Sequence, residues 1–67
     1  MAEICFRVPE LTDGDGVRAI TGQVRQIDGV TAVEIDLHTR WIVITSERID
    51  IDAIRRAVRR AGYDAEL

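Results

Sequence analysis

Alternating apolar and polar residues predict three strands along this chain. Residues 3–8 alternate strictly, and Pro9, which lacks a backbone N–H, ends this first strand. Two further alternating runs occupy residues 30–37 and 41–45. The three residues between them, 38–40, are too few for anything but a hairpin connection. The pattern therefore predicts one isolated strand followed later by a β-hairpin.

Two amphipathic helices are predicted between and after these strands. In the first helix, apolar residues recur every three or four positions: Val17, Ile20, Val24 and Ile27. The second helix has a similar inner stripe: Ile54, Ala57, Val58 and Ala61. Asp13 or Asp15 caps the first helix and Asp50 the second, because their carboxylates accept from free first-turn amides. Gly62 ends the second helix, and residues 63–67 can form a short last strand.

The element order β-α-β-β-α-β predicts a single domain over residues 1–67. Two right-handed β-α-β crossings in this order give a four-stranded antiparallel sheet with both helices on one face. The first and third strands then lie in the middle of the sheet. The expected fold class is α+β, a ferredoxin-like βαββαβ sandwich.

Composition narrows the range of functions. The net charge of −3 argues against a nucleic-acid partner, and no apolar run approaches the roughly 20 residues of a membrane span. The start of the chain does not resemble a signal peptide, so a cytoplasmic location is expected. Cys5 is the only cysteine, which excludes an intrachain disulfide and a two-cysteine metal site. No catalytic constellation is predicted, so we do not expect an enzyme.

Several short motifs share the spacing of one known family. They are Val8, Leu11-Thr12, Gly16-Val17, Gly29-Val30, Ile35-Asp36-Leu37 and Ala61-Gly62-Tyr63. Across nearly its whole length the chain resembles the heavy-metal-associated domain, the fold of small copper chaperones and of the N-terminal modules of metal-pumping ATPases. The resemblance implies a small metallochaperone-like protein of metal binding or transport, whose partner is a metal-transporting ATPase or another protein.

The resemblance fails at the two metal-binding cysteines of the family's Cys-x-x-Cys motif. Asp13 stands at the first cysteine position and Gly16 at the second, so the motif reads Asp-Gly-Asp-Gly. Copper(I) is a soft ion that prefers thiolates, a carboxylate is a hard ligand, and glycine has no side-chain ligand. Cys5 is predicted on the opposite face of the sheet. We therefore do not expect this loop to bind copper(I) in the family's manner.

Two interpretations of the loop remain open. In the first, Asp13, Asp15 and His38 hold a divalent ion such as zinc, manganese or nickel at the end of the fold where the loops meet. In the second, the loop is a turn with a helix cap, and His38 is a solvated hairpin residue. We favour the second. Three further residues are expected to shape or pack against the loop: Gly14, Gly16 and Tyr63.

Two surfaces are candidates for protein contact. The face of the sheet that no helix covers is predicted to carry four residues on the two central strands: Cys5, Arg7, Trp41 and Val43. An exposed apolar patch of this kind often marks a partner surface or a site of self-association. The outer face of the second helix carries a basic stripe: Arg55, Arg56, Arg59 and Arg60. The alternative function is therefore a metal-free interaction or regulatory module on the same scaffold.

Overall fold

Strands and helices form in the predicted order up to the last element. The computed structural model describes residues 1–67, and the elements are β1 (Ala2–Arg7), α1 (Gly14–Val24), β2 (Val30–Asp36), β3 (Trp41–Ser46) and α2 (Ile51–Arg60). Neither helix has the length and apolar content needed to span a bilayer.

The sheet is antiparallel, with β3 between β1 and β2. Phe6 pairs with Ile42 on β3, and Ile42 pairs with Ile35 on β2. Because residues that pair directly share a face, this row lies on one side of the sheet and the neighbouring row, Cys5–Val43–Glu34, on the other.

Both helices pack on the face that carries Phe6 and Ile42. One buried cluster joins residues from the sheet, both helices and the loop after β1: Phe6, Val8, Leu11, Ile20, Val24, Ile42, Ile44, Ile54, Ala57 and Val58. The predicted inner stripes are therefore confirmed in part: Ile20, Val24, Ile54, Ala57 and Val58 are buried, whereas Val17 is partly buried. Ile27 and Ala61 are also partly buried, and they lie past the ends of α1 and α2. The opposite face of the sheet is left without a helix.

The helix ends follow the predicted chemistry. Asp13, and not Asp15, caps α1, with its Oδ1 accepting from the Gly16 amide at 2.9 Å. Asp50 caps α2 by accepting from the Ala53 amide at 3.1 Å. After α2, Gly62 adopts a φ of +94°, a left-handed conformation that glycine takes without strain.

The β2–β3 hairpin begins one residue earlier than predicted. β2 ends at Asp36, whose Oδ1 accepts from the amides of His38 at 2.9 Å and Thr39 at 3.2 Å. These hydrogen bonds close the turn, and Leu37 lies in it with 37% of its surface exposed. Arg40 completes the turn with a φ of +67°.

The prediction of a four-stranded sheet is wrong, because the sheet has three strands. Residues 63–67 contribute one isolated antiparallel bridge, in which the Glu66 amide donates to the Arg7 carbonyl at 2.9 Å. Alternate residues of β1 direct their backbone groups to the edge where Glu66 pairs with Arg7. The next such residue after Arg7 is Pro9, which has no N–H to donate. The ladder therefore does not extend past one pair.

Candidate metal loop and interaction surfaces

Three segments meet at one end of the molecule, as the predicted topology required. The Val8 amide, where the chain leaves β1, donates to the Arg40 carbonyl of the hairpin at 3.1 Å. The loop that follows leads through Leu11 to Gly16, and Tyr63, just after α2, contacts Gly16. This end of the fold therefore contains the loop, the hairpin and the turn after α2.

Asp13 is engaged in local hydrogen bonding. Its side chain accepts from the Gly16 amide, and its carbonyl accepts from the Val17 amide at 3.3 Å. This is the usual arrangement of an N-cap, in which a carboxylate satisfies an amide that has no partner within the helix. The carboxylate therefore already has a structural role.

Asp15 lies in the first turn of α1 and faces solvent. Its Oδ1 is 2.9 Å from Arg18 Nη2, and the two side chains are 87% and 82% exposed. An exposed pair at this spacing contributes little to stability. Its position near the helix N-terminus is nevertheless favourable for a negative charge.

Tyr63 fills the space beside Gly16. A Cβ added at Gly16 would meet the Tyr63 hydroxyl at less than any real contact distance, and would lie 2.7 Å from Leu11 Cδ1 and 3.0 Å from Tyr63 Cζ. By contrast, a Cβ at Gly14 would meet nothing within 4 Å. Position 16 therefore accepts no side chain unless Tyr63 and Leu11 move.

His38 is an exposed residue of the hairpin. No group of three or more His, Cys, Asp or Glu side chains is placed to hold a metal ion. The fold thus brings the segments of Asp13, Asp15 and His38 to one end of the molecule without assembling these side chains into a cluster.

The uncovered sheet face carries the four predicted residues of β1 and β3, although only β3 lies in the middle of the sheet and β1 lies at its edge. Cys5 pairs with Val43 and Arg7 pairs with Trp41, so all four share this face. Cys5 is exposed, and Trp41 is 45% exposed. Beside Trp41, on the β2 side, lies a shallow depression of about 290 Å³.

The basic face of α2 is exposed as predicted, and its four arginines differ in their partners. Arg55 approaches Asp52 at 3.8 Å, and Arg59 approaches Asp64 at 3.6 Å. Arg56 and Arg60 form no ion pair and line a groove of about 220 Å³ between α1 and α2. The groove also contains five residues of the two helices and the turn after α1: Gln23, Gln26, Ile27, Ala53 and Ala57.

Sequence reasoning missed one feature of this end of the molecule, Leu11, which is fully buried beneath the loop beside Gly16. It placed Tyr63 near the loop but did not name the residue that Tyr63 contacts, which is Gly16. A glycine in the first turn of an otherwise well-patterned helix was the available signal, since such a glycine often permits close packing.

Comparison with known proteins now assigns the family. The model of the heavy-metal-associated domain matches residues 5–64. The chain belongs to the heavy-metal-associated family. No curated protein sequence matches it significantly.

Solved structures of metal-handling proteins share this fold. The copper chaperone Atx1 from Synechocystis PCC6803 is 30% identical, with a TM-score of 0.82 over 94% of this chain and 98% of that one. A structure of the Atx1–Cu(I)–Ccc2a complex is 28% identical, with a TM-score of 0.81 over 96% and 90%. The N-terminal domain of ZntA, at 22% identity, matches in fold with a TM-score of 0.88 over 96% and 88%. The family and the first of these neighbours are thus named for metal handling, as a heavy-metal-associated domain and a copper chaperone.

Proposed function

We propose that this chain is a metallochaperone-like domain that works in metal handling through protein contacts, and that its Asp13–Gly16 loop does not bind copper(I) in the family's manner. The observation that carries the proposal is the packing of Tyr63 against Gly16. The space from which a ligand at position 16 would extend is filled by the Tyr63 hydroxyl and by Leu11.

The donor atoms near the loop support this proposal. Copper(I) prefers soft thiolates, whereas Asp13 offers a hard carboxylate that already caps α1. Gly16 offers no side-chain donor. The only thiol of the chain, that of Cys5, lies on the uncovered sheet face and not in the loop. In the strand register Cys5 is opposite Val43 of β3. The residues of the loop therefore do not fit copper(I).

Weak binding of a hard or borderline divalent ion by Asp13, Asp15 and His38 remains a prediction. Carboxylate and imidazole ligands suit zinc, manganese or nickel better than copper(I). Against it stands the ordinary structural role of each residue: a helix cap, a surface ion pair and an exposed hairpin histidine.

The proposed partner is the soluble domain of a metal-transporting ATPase, or another protein with a similar surface. The two proteins would bind in the cytoplasm. One similar structure is a chaperone in complex with Cu(I) and Ccc2a, so this fold can dock a second protein. On this chain the α2 groove offers Arg56 and Arg60, whose charges are not neutralised internally. An acidic partner surface would complement them and accelerate association.

A binding assay with the N-terminal domain of a metal-transporting ATPase from the same organism tests this proposal. We expect Arg56→Glu to weaken binding about tenfold, because it replaces an attractive charge with a repulsive one at the contact. Arg48→Glu, which makes the same charge change at an exposed position outside the groove, is the control. Native binding should be the same with and without copper(I). Binding that requires copper(I), or that both variants weaken equally, would overturn the proposal.

A further inference from the structure

The depression beside Trp41 is defined by six residues of β2, β3 and the hairpin: Glu34, Ile35, Asp36, Thr39, Trp41 and Val43. Its volume of about 290 Å³ is just below the roughly 300–1,000 Å³ of small-molecule sites. A space of this size suits one long side chain. We propose that this Trp41 depression receives an arginine or lysine side chain from a cationic segment of another protein.

The charges of the depression are negative and unneutralised. Glu34 pairs with Val43 and Asp36 pairs with Trp41 in the sheet register, so both acidic residues lie on the face of Trp41. Neither carboxylate takes part in an ion pair within the chain. One oxygen of Asp36 accepts from two turn amides, which stabilise its charge in part, but no cationic side chain pairs with it. An incoming cation would therefore meet two free carboxylate charges.

The chain has no cation of its own in this place. Arg7 is the only basic residue whose strand position puts it on the uncovered face. It pairs with Trp41 from β1, whereas the depression lies on the β2 side, and Arg7 does not line it. The acidic residues on the face outnumber it: Glu3, Glu34, Asp36 and Glu66. Charge complementarity therefore favours a cationic occupant.

Trp41 supplies the second element of recognition. Its side chain is 45% exposed, although tryptophan usually buries most of its surface in a folded core. An indole ring attracts a guanidinium or ammonium group over its face, and the attraction is strongest for tryptophan among the aromatic residues. With two carboxylates alongside, the depression combines an apolar contact for the stem with a charged contact for the head group.

Trp41 is also the only tryptophan, so its fluorescence reports directly on this surface. The test is a titration of the full chain, without metal, with an acetylated and amidated hexa-arginine peptide. Hexaglutamine serves as the uncharged control. We expect a saturable change in Trp41 fluorescence with the cationic peptide alone, together with amide NMR shifts confined to residues 32–43.

Two double variants separate the depression from net charge. Glu34→Gln/Asp36→Asn keeps the size of both side chains and an acceptor for the turn amides, and should weaken binding about tenfold through loss of two charged contacts. Asp28→Asn/Glu47→Gln removes the same charge at exposed positions elsewhere, and should stay within about twofold of the native affinity.

Three results would overturn the inference. The first is an absence of saturable binding. The second is equal weakening in both double variants, which would mean that net charge alone attracts the peptide. The third is a change of Trp41 fluorescence on dilution without peptide, which would assign the depression to a second copy of the chain. Because no copper(I) is present, none of these results bears on the loop.

Discussion

At the scale of single residues, Asp13 has the clearest structural role. Asp13→Ala removes the side chain that accepts from the Gly16 amide, and should lower the free energy of unfolding by about 1 kcal/mol. Asp13→Asn keeps the acceptor and should lose only about a few tenths of that. Urea unfolding followed by circular dichroism measures both. Equal stability of Asp13→Ala and the native chain would contradict the cap assignment.

The contact between Gly16 and Tyr63 gives a second test. Alanine normally stabilises a helix interior by about 1 kcal/mol over glycine, but at position 16 its Cβ would overlap Tyr63 and Leu11. Overpacking of this kind costs about 1–3 kcal/mol, so we expect Gly16→Ala to be destabilising on balance. In a Tyr63→Phe background, which lacks the hydroxyl, the loss should shrink.

Gly22→Ala is the matched control in the same helix. A Cβ at Gly22 would meet nothing within 4 Å, so this change should raise the free energy of unfolding by up to about 1 kcal/mol. Thermal or urea unfolding compares the free energies of unfolding of four variants: Gly16→Ala, Tyr63→Phe, the combination of these two, and Gly22→Ala. If Gly16→Ala stabilises the chain as Gly22→Ala does, the space beside Gly16 is open and the packing argument fails.

Sequence reasoning left one choice undecided at this scale. Asp13 and Asp15 both precede a helical stripe within one turn, and either satisfies the rule for a cap. The structure has Asp13 as the cap, and beside the first turn Leu11 and Tyr63 pack through contacts between residues far apart in the chain. Local spacing does not contain this information.

At the scale of elements, the hairpin carries a strained residue. Arg40 adopts a φ of +67°, a region that costs an L-residue roughly 1–2 kcal/mol and glycine almost nothing. Arg40→Gly should therefore be more stable than Arg40→Ala by about 1 kcal/mol, since both lose the arginine side chain but only alanine keeps the Cβ. Denaturant unfolding of the two variants measures the difference. An alanine variant as stable as the glycine variant would contradict the assigned turn.

The last strand shows where an alternating pattern is insufficient. Residues 63–67 alternate well enough to predict a strand, and Glu66 does reach β1. A strand also needs a partner with free donors and acceptors in register, and Pro9 removes one donor from that edge. The other elements were predictable because their signals are local: period, cap and turn.

At the scale of the whole molecule, the core, the loop end and the two exposed surfaces lie in different parts of the fold. One sheet face and both helices form the core, and the loop end is filled by Leu11 and Tyr63. This leaves the α2 groove with Arg56 and Arg60, and the Trp41 depression with its two free carboxylates, as surfaces of opposite charge. The family resemblance, the order of the first five elements and the residues of both surfaces followed from the sequence, whereas the groove, the depression and the unpaired charges within them depend on side-chain pairing across elements.

The most direct test of the claim that the Asp13–Gly16 loop does not bind copper(I) is an amide NMR titration of the reduced chain with copper(I). Asp13→Cys/Gly16→Cys/Tyr63→Phe supplies both thiols and removes the hydroxyl nearest to position 16, and it is the positive control. The Leu11 side chain and the ring at position 63 still have to shift to admit the second thiol. We expect saturable shifts at residues 12–17 and 62–64 in this variant and none at those residues in the native chain. Saturable native shifts in the same residues would show that the loop binds copper(I), and would contradict the claim.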